Sequence, residues 1–318
     1  MNEDEVRVPV YLITGFLEGG KTTFINKVLR QSYFQIDDPT VVINTEEGET
    51  EYDSADLTHY RTFAVDLTEE DPLTPDRLQK IEEEIHPGRV IVELNPLWGV
   101  KNFETMPLPE GWGIVQEIAI VDAVSYPVYR TNMKSLFVEM FANADLVMFN
   151  RCAEGMPLAD FRRGIKVTNP PCEIAFEAPD GSMMDIFEDA LPYDIDADVI
   201  DIDDVDYGIF YVDLRDNPER YEGKKVHFRG KMMKNKALGS KYFGLGWMTM
   251  TCCAEDIQFI GYICESAKAR GFASGSWVEV TAKVEIRHML AYRGKGPVFR
   301  VIDMTQIEPP ESELVYFN

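Results

Sequence analysis

Residues Val8 to Leu29 constrain this chain more than any other stretch. An apolar, β-branched run, Val-Pro-Val-Tyr-Leu-Ile-Thr, has the length and character of a buried strand. It leads into Gly15-Phe-Leu-Glu-Gly-Gly20-Lys21-Thr22-Thr23, which fits the phosphate-binding pattern of Gly, four residues, Gly-Lys-Thr. Phe24, Ile25, Val28 and Leu29 then recur at helical spacing. Strand, glycine loop and helix in that order is the context this pattern requires.

The residue types follow from the chemistry. Gly15, Gly19 and Gly20 let the backbone curl with its N–H groups turned inward on an anion. The helix that follows adds unpaired N–H groups and the positive end of its dipole. Lys21 has the reach for β- and γ-phosphates, and the Thr22 hydroxyl suits Mg²⁺, with Thr23 beside it. Glu18 is the odd member, a carboxylate in a loop built for anions, which either weakens nucleotide affinity or points outward.

Beyond the loop, short apolar strands alternate with helical patterns: Thr40–Asn44, Arg89–Leu94, 115–122, 145–150 and 173–176 as strands, with helices over 75–85, 132–142, 157–164 and 183–190. Thr74-Pro75 reads as a cap with proline in the first turn. This alternation predicts an α/β domain, a mostly parallel P-loop NTPase sheet with helices on both faces. Ligands of such sheets lie at the carboxyl ends of the strands, where the loop, Glu93 and Asn150 would meet. Glu93 is the candidate for a Mg²⁺-linked or water-orienting acid, alongside the reading of an acid making a local hydrogen bond. Residues 45–56, with six acids, read first as a solvated loop and second as a switch segment near the metal.

Charge divides the chain. Residues 207–318 hold 16 Lys+Arg against 13 Asp+Glu, a net of +3, so 1–206 carries −27 of the total −24. The expected organisation is a P-loop domain over 1–192, an acidic connector over 193–206 and a second domain over 207–318. The acidic first half argues against nucleic acid there. In the second, strand patterns at 225–233, 241–251, 257–264, 277–286 and 297–307 predict a small all-β barrel, OB-like in size and strand number. Its run of lysines with Tyr242, Phe243 and Trp247 interleaved fits a single-strand nucleic-acid face, or a basic face that docks on the acidic half or the connector; the second is preferred, and nucleic acid is not expected as a partner. Cys252-Cys253 sits in a strand pattern, where neighbours point to opposite faces; a zinc or other transition-metal site there is the lesser reading and two separate thiols the greater. No apolar run spans a bilayer, and the acidic start Met-Asn-Glu-Asp-Glu lacks the parts of a secretory signal, so the expected location is cytoplasmic, with the five cysteines reduced.

Residues 8 to about 190 resemble the CobW-type family of P-loop GTPases, near the hydrogenase and urease metallochaperones. The resemblance rests on Ile13-Thr-Gly-Phe-Leu-Glu-Gly-Gly-Lys-Thr-Thr23, on Val41-Val-Ile-Asn44 with Gly48-Glu49 and Asp53, on Val90-Ile-Val-Glu93, on Val121-Asp122 and on Ala144-Asp-Leu-Val-Met-Phe-Asn150. It implies GTP binding, slow Mg²⁺-dependent hydrolysis, Asn150 at the base, and service to a client metalloprotein. The chain departs from the family in three places. No cysteine precedes Cys152, so the Cys-x-Cys-Cys metal motif is missing. The guanine-reading Asn-Lys-x-Asp stands as Asn150-Arg151-Cys152-Ala153, which leaves GTP and ATP both open, with Glu154 the nearest carboxylate along the chain. Pro96 replaces the glycine after the strand acid and has no N–H to offer a γ-phosphate. Residues from about 207 resemble a domain family of bacterial proteins associated with membrane permeases, through Tyr221-Glu-Gly-Lys, Met250-Thr-Cys-Cys-Ala-Glu-Asp256, Trp277-Val-Glu-Val and Val315-Tyr316. It implies a permease as a partner. The expected function is a nucleotide-binding P-loop protein, a slow Mg²⁺-dependent GTPase acting as a regulator or metallochaperone-like accessory protein. The alternatives are a non-hydrolysing nucleotide-dependent adaptor, or a module whose barrel binds an anionic ligand, nucleic acid or a permease.

Overall fold

The computed structural model describes residues 6–46, 48, 50–68, 70–184, 191–235, 238–250 and 257–315. By internal contacts the chain divides into two units, Met1–Leu158 with Thr168–Ile186, and Ala159–Val167 with Phe187–Asn318. Each is described separately.

The first unit is built on seven parallel strands: β1 (Val8–Thr14), β2 (Thr40–Asn44), β3 (Thr62–Asp66), β4 (Arg89–Leu94), β5 (Trp112–Asp122), β6 (Leu146–Asn150) and β7 (Glu173–Phe176). Their spatial order is β3-β2-β4-β1-β5-β6-β7, with helices in the crossovers. The buried run of β4 is the mark of a strand covered on both faces. Helix α1 (Lys21–Leu29) lays Ile25 and Leu29 against Ile13, Val42, Ile91 and Ile120. The register pairs Ile13 of β1 and Asn44 of β2 with Glu93 of β4, and Asp122 of β5 with Asn150 of β6. Polar residues at the carboxyl ends of four strands, β2 and β4 on one side of β1 and β5 and β6 on the other, therefore converge beside the loop that follows β1.

One strand and three short helices of this unit escape the sequence pattern. Strand β3 is an edge strand with Phe63 exposed, so its alternation is weak. Helix α2 (Ser54–His59) lies in the acidic stretch read as loop; the Asp53 carboxylate caps it, accepting from the Ala55 and Asp56 N–H groups at 2.8 and 3.3 Å. The expected helix over 132–142 is α6 (Lys134–Ala142), separated by Met133 from α5 (Tyr126–Asn132). Most of the helix expected over 183–190 lies outside the described residues; Met183 makes a bridge to Glu177. Helix α3 (Pro75–Ile85) begins at the expected Thr74 cap, whose hydroxyl accepts from Arg77 N at 3.2 Å. Helix α4 (Val100–Glu104) follows β4.

In the second unit, β9 (Lys225–Met233), β10 (Tyr242–Met250), β11 (Ile257–Glu265), β12 (Trp277–Met289) and β13 (Gly294–Ile307) run in the order β10-β11-β13-β12-β9, and a further β10–β9 pairing closes the barrel. β11 and β13 pair parallel, and the other barrel pairings are antiparallel. The flanking strands are β8 (Ile200–Asp201) on β9 and β14 (Leu314–Val315) on β10. The interior is aromatic, with Phe210, Phe228, Tyr262 and Phe299 in mutual ring contact. Phe210 comes from helix α8 (Tyr207–Asp216), where the sequence pattern showed strands alone beyond the connector. Its buried Tyr207, Phe210 and Leu214 do follow helical spacing, but β-favouring aromatic and branched residues mask it. Helix α7 (Leu158–Thr168) falls mostly in this unit, with Arg162 paired to Asp216 and Arg215 donating to the Lys166 carbonyl.

The acidic connector folds onto the barrel: Asp204 forms a two-pronged pair with Arg229, Lys224 meets Asp196 and the Ile195 carbonyl, and β8 adds an edge strand. Lys231 pairs with Glu313, and Lys241 with Glu265. The basic residues of the second half are thus largely matched by acids of their own unit. The Tyr193 and Tyr221 hydroxyls lie 2.7 Å apart, and Tyr221 donates to Asp213, which also accepts from Asn217 at 2.9 Å and Arg220 at 3.1 Å.

Two outcomes are expected. Tyr221 is fully buried, so Tyr221→Phe strands a Tyr193 and Asp213 partner and lowers stability by about 1–2 kcal/mol, read by denaturant unfolding with an unchanged slope. In the first unit, burial, then the Glu104 carboxylate and its hydrogen bond, then Asp145, push the Glu117 carboxyl up to about 8. The folded state therefore holds a proton that the unfolded state releases near its ordinary value, and this contribution, complete at low pH, is lost as pH rises through about 8. Melting temperatures of Glu117→Gln and the parent protein should coincide most closely near pH 5 and separate in favour of the variant towards pH 9.

Candidate functional site

The loop from 15 to 20 joins β1 to α1. Gly20 has φ of +100°, and a Cβ there would stand 2.4 Å from Asn150 Nδ2. A Cβ on Gly15 would lie 2.5 Å from the Ile120 carbonyl oxygen. Side chains at these two positions would fill the cradle or push the loop off the sheet, which is the physical content of the motif. Glu18 adopts φ of +57°, in the left-handed region, and its side chain is exposed. Of the two expectations for Glu18, the structure shows the outward one; its carbonyl accepts from Arg151 at 3.1 Å. Arg151, itself at φ +54°, also pairs with Asp122 at 2.7 Å. Gly19 donates its N–H to the Phe16 carbonyl at 3.0 Å and accepts at its own carbonyl from Asn150 Nδ2 at 2.6 Å. Asn150 is thereby tied to the loop, with its Oδ1 buried and lacking a hydrogen-bond partner. Thr23 is exposed on α1.

Lys21 opens α1 yet is 2 % exposed, and its ammonium donates to the Phe16 carbonyl at 3.0 Å and to Glu46 Oε1. Glu46 comes directly after β2, and its other oxygen accepts from Asn95 Nδ2. Thr22 donates to Glu93 Oε1 at 2.8 Å, while the Tyr52 hydroxyl donates to Oε2. Burial and the Glu93 carboxylate push the Tyr52 hydroxyl far up, so it stays a donor. Thr45 ties the two layers: its hydroxyl donates to the Glu93 carbonyl at 3.0 Å and accepts from Asn95 N at 3.1 Å. Lys21, Thr22 and Glu93 are thus brought together as the sequence analysis named them. The stretch after β2 differs from the solvated loop first expected there: Thr45 is 3 % exposed, and Glu46 and Tyr52 bond into the site. Glu46, Tyr52 and Asn95 had no motif to announce them; the only signal was a lone tyrosine in an acidic run and a polar residue two places after Glu93.

A cavity of about 290 Å³ flanks the outer side of the loop, lined by Phe16, Asp122, Ser125, Tyr129 and Arg151 among others. Among the described residues no group of three or more His, Cys, Asp or Glu side chains is arranged to hold a metal ion. Cys252 and Cys253, named as a second metal site, lie outside the described residues. Cys152, Cys172 and Cys264 are buried, with burial pushing the Cys152 thiol up to about 11. The chemistry assembled here is that of an anion cradle: a glycine loop, one buried ammonium, and a hydroxyl held on a carboxylate.

Residues 9–154 match the family described as CobW/HypB/UreG, nucleotide-binding domain, and residues 183–317 match the DUF1980 C-terminal domain. No curated protein matches. Among solved structures, the hydrogenase maturation factor HypB from Archaeoglobus fulgidus is similar at 14% identity and a TM-score of 0.40, over 57% of this chain and 85% of that one. The Zn(II)-bound YjiA GTPase from E. coli is similar at 15% identity and a TM-score of 0.40, over 72% of this chain and 74% of that one. HypB from Helicobacter pylori in complex with nickel is similar at 13% identity and a TM-score of 0.35, over 56% of this chain and 81% of that one. Residues 9–154 are thus similar to the CobW/HypB/UreG nucleotide-binding domain, and residues 183–317 to the DUF1980 C-terminal domain.

Proposed function

We propose that this protein binds a nucleoside triphosphate with Mg²⁺ at the loop after β1 and turns it over slowly, as a GTPase-type regulator or metallochaperone-like accessory protein. The observation that carries the reading is Lys21: a buried ammonium at the mouth of a glycine loop, one residue before a hydroxyl held on Glu93. Lys21 and the backbone of 17–22 would hold the phosphates. Thr22 and Glu93 would hold Mg²⁺, which when bound neutralises charge on the phosphates. Asn150, with an unused buried acceptor beside the loop, would stand at the base end, and GTP and ATP are both admitted because Ala153 supplies no carboxylate for guanine. The cytoplasm and a client metalloprotein fit a protein of this group.

A second reading, a nucleotide-dependent adaptor without turnover, is favoured by one feature. Pro96, two residues beyond the end of β4, is buried and offers no N–H to a terminal phosphate. For the second unit we propose an OB-type barrel serving as a binding module, with a permease as the partner suggested by its family. No helix among the described residues is long and apolar enough to cross a membrane.

Titration calorimetry of the full chain with GTP and with ATP, each with Mg²⁺, tests the reading. Binding of either is expected, and Lys21→Ala should weaken it by about a hundredfold. Equal binding by Lys21→Ala, or none by the parent protein, would sink the proposal. Phosphate release then separates the slow hydrolase from the adaptor.

A further inference from the structure

The carboxylate of Glu46 stands where a competing anion would. It is gripped from two sides, by the Lys21 ammonium of α1 on Oε1 and by the Asn95 amide, just beyond β4, on Oε2. Its own N–H donates to Asn44 Oδ1 at 3.2 Å, and Asn44 Nδ2 donates to Asp66 Oδ1 at 3.2 Å, so the turn that presents Glu46 is anchored to two strands. The side chains of the pair are 2 % and 12 % exposed, so solvent screens little of their attraction. In a loop of this kind the lysine serves the β- and γ-phosphates. A terminal phosphate arriving at Lys21 therefore meets an ammonium already neutralised, and brings its charge against a carboxylate clamped in place. A diphosphate, which lacks the terminal group, asks less of Glu46.

We propose that Glu46 is a specificity-determining residue of this site, a resident carboxylate that competes with the terminal phosphate for Lys21 and biases the protein towards nucleoside diphosphates. The inference rests on the nucleotide-binding reading above. Entry of a triphosphate requires Glu46 to leave both Lys21 and Asn95, so these three side chains set the ratio of triphosphate to diphosphate affinity. The Tyr52 and Thr22 hydroxyls donate to Glu93, and neither contact involves Glu46.

The test is calorimetry of the full chain with GTP, GDP, ATP and ADP in Mg²⁺, on the parent protein, Glu46→Gln and Asn95→Ser. Glu46→Gln keeps the shape and removes the charge. Asn95→Ser keeps an acceptor for the Leu97 N–H that Asn95 now caps at 2.9 Å, and removes the second grip on Glu46. Glu46→Gln should tighten triphosphate about tenfold or more relative to diphosphate, and Asn95→Ser should move the ratio the same way by less. An unchanged ratio in both variants, with the parent protein binding and Lys21→Ala not, overturns this inference and leaves the nucleotide reading standing. Weaker triphosphate binding by Glu46→Gln also overturns it, and would make Glu46 a ligand of the metal instead. Failure of all three proteins to bind any of the four nucleotides overturns both. Should Glu46→Gln not fold, by loss of its cooperative melt, the Asn95→Ser ratio alone decides.

Discussion

A single ammonium group, buried at the start of the first helix, is the constraint around which the first unit is arranged. Removing a lysine from water costs several kcal/mol unless charge and hydrogen bonds are supplied locally. Here they come from three directions: the Phe16 carbonyl of the loop, the Glu46 carboxylate after β2 and, one step behind, the Asn95 amide after β4. These elements can meet only because β2, β4 and β1 are adjacent and parallel, with their carboxyl ends on one side. The order of the strands and the solvation of one nitrogen are two views of the same requirement.

A second layer hangs on the first. Glu93 has both oxygens committed to hydroxyls, Thr22 and Tyr52, and its own carbonyl is held by Thr45. A carboxylate so served is held in one place. The stretch from Thr45 to Tyr52 thus reports on the loop at two points, one through an acid on Lys21 and one through a phenol on Glu93.

Much of this was legible in the residues, and the parts that were not share a cause. The loop, α1 and Glu93 announce themselves because a local pattern fixes them: glycines where backbones crowd, an acid at the end of a buried strand. The five barrel strands show because alternation survives in β9 and β12. Glu46, Tyr52 and Asn95 were invisible as site residues because their meaning arises from pairings 25 to 49 residues apart, between Lys21 and Glu46, Tyr52 and Glu93, and Glu46 and Asn95. Helix α2 was hidden by its acidity and α8 by its aromatic content, both cases in which composition argues one way and tertiary burial or a cap the other. The connector was read from the change of charge sign, and that change is real, but its acids are spent on Lys224 and Arg229 and its Ile200–Asp201 joins a sheet.

Helix α7 has a bearing on how the protein can be handled. It sits in the chain between β6 and β7, both strands of the parallel sheet, while its Ala159–Val167 counts with the barrel unit and Arg162 pairs with Asp216. The polypeptide therefore passes from one unit to the other three times, not once. No single scission yields two intact halves: a fragment ending after β7 would carry a helix whose Phe161 and Ile165 are buried in the whole protein, and a fragment beginning at the connector would lack it. Separating the two units as they are folded would take three cuts, one at each crossing of the chain.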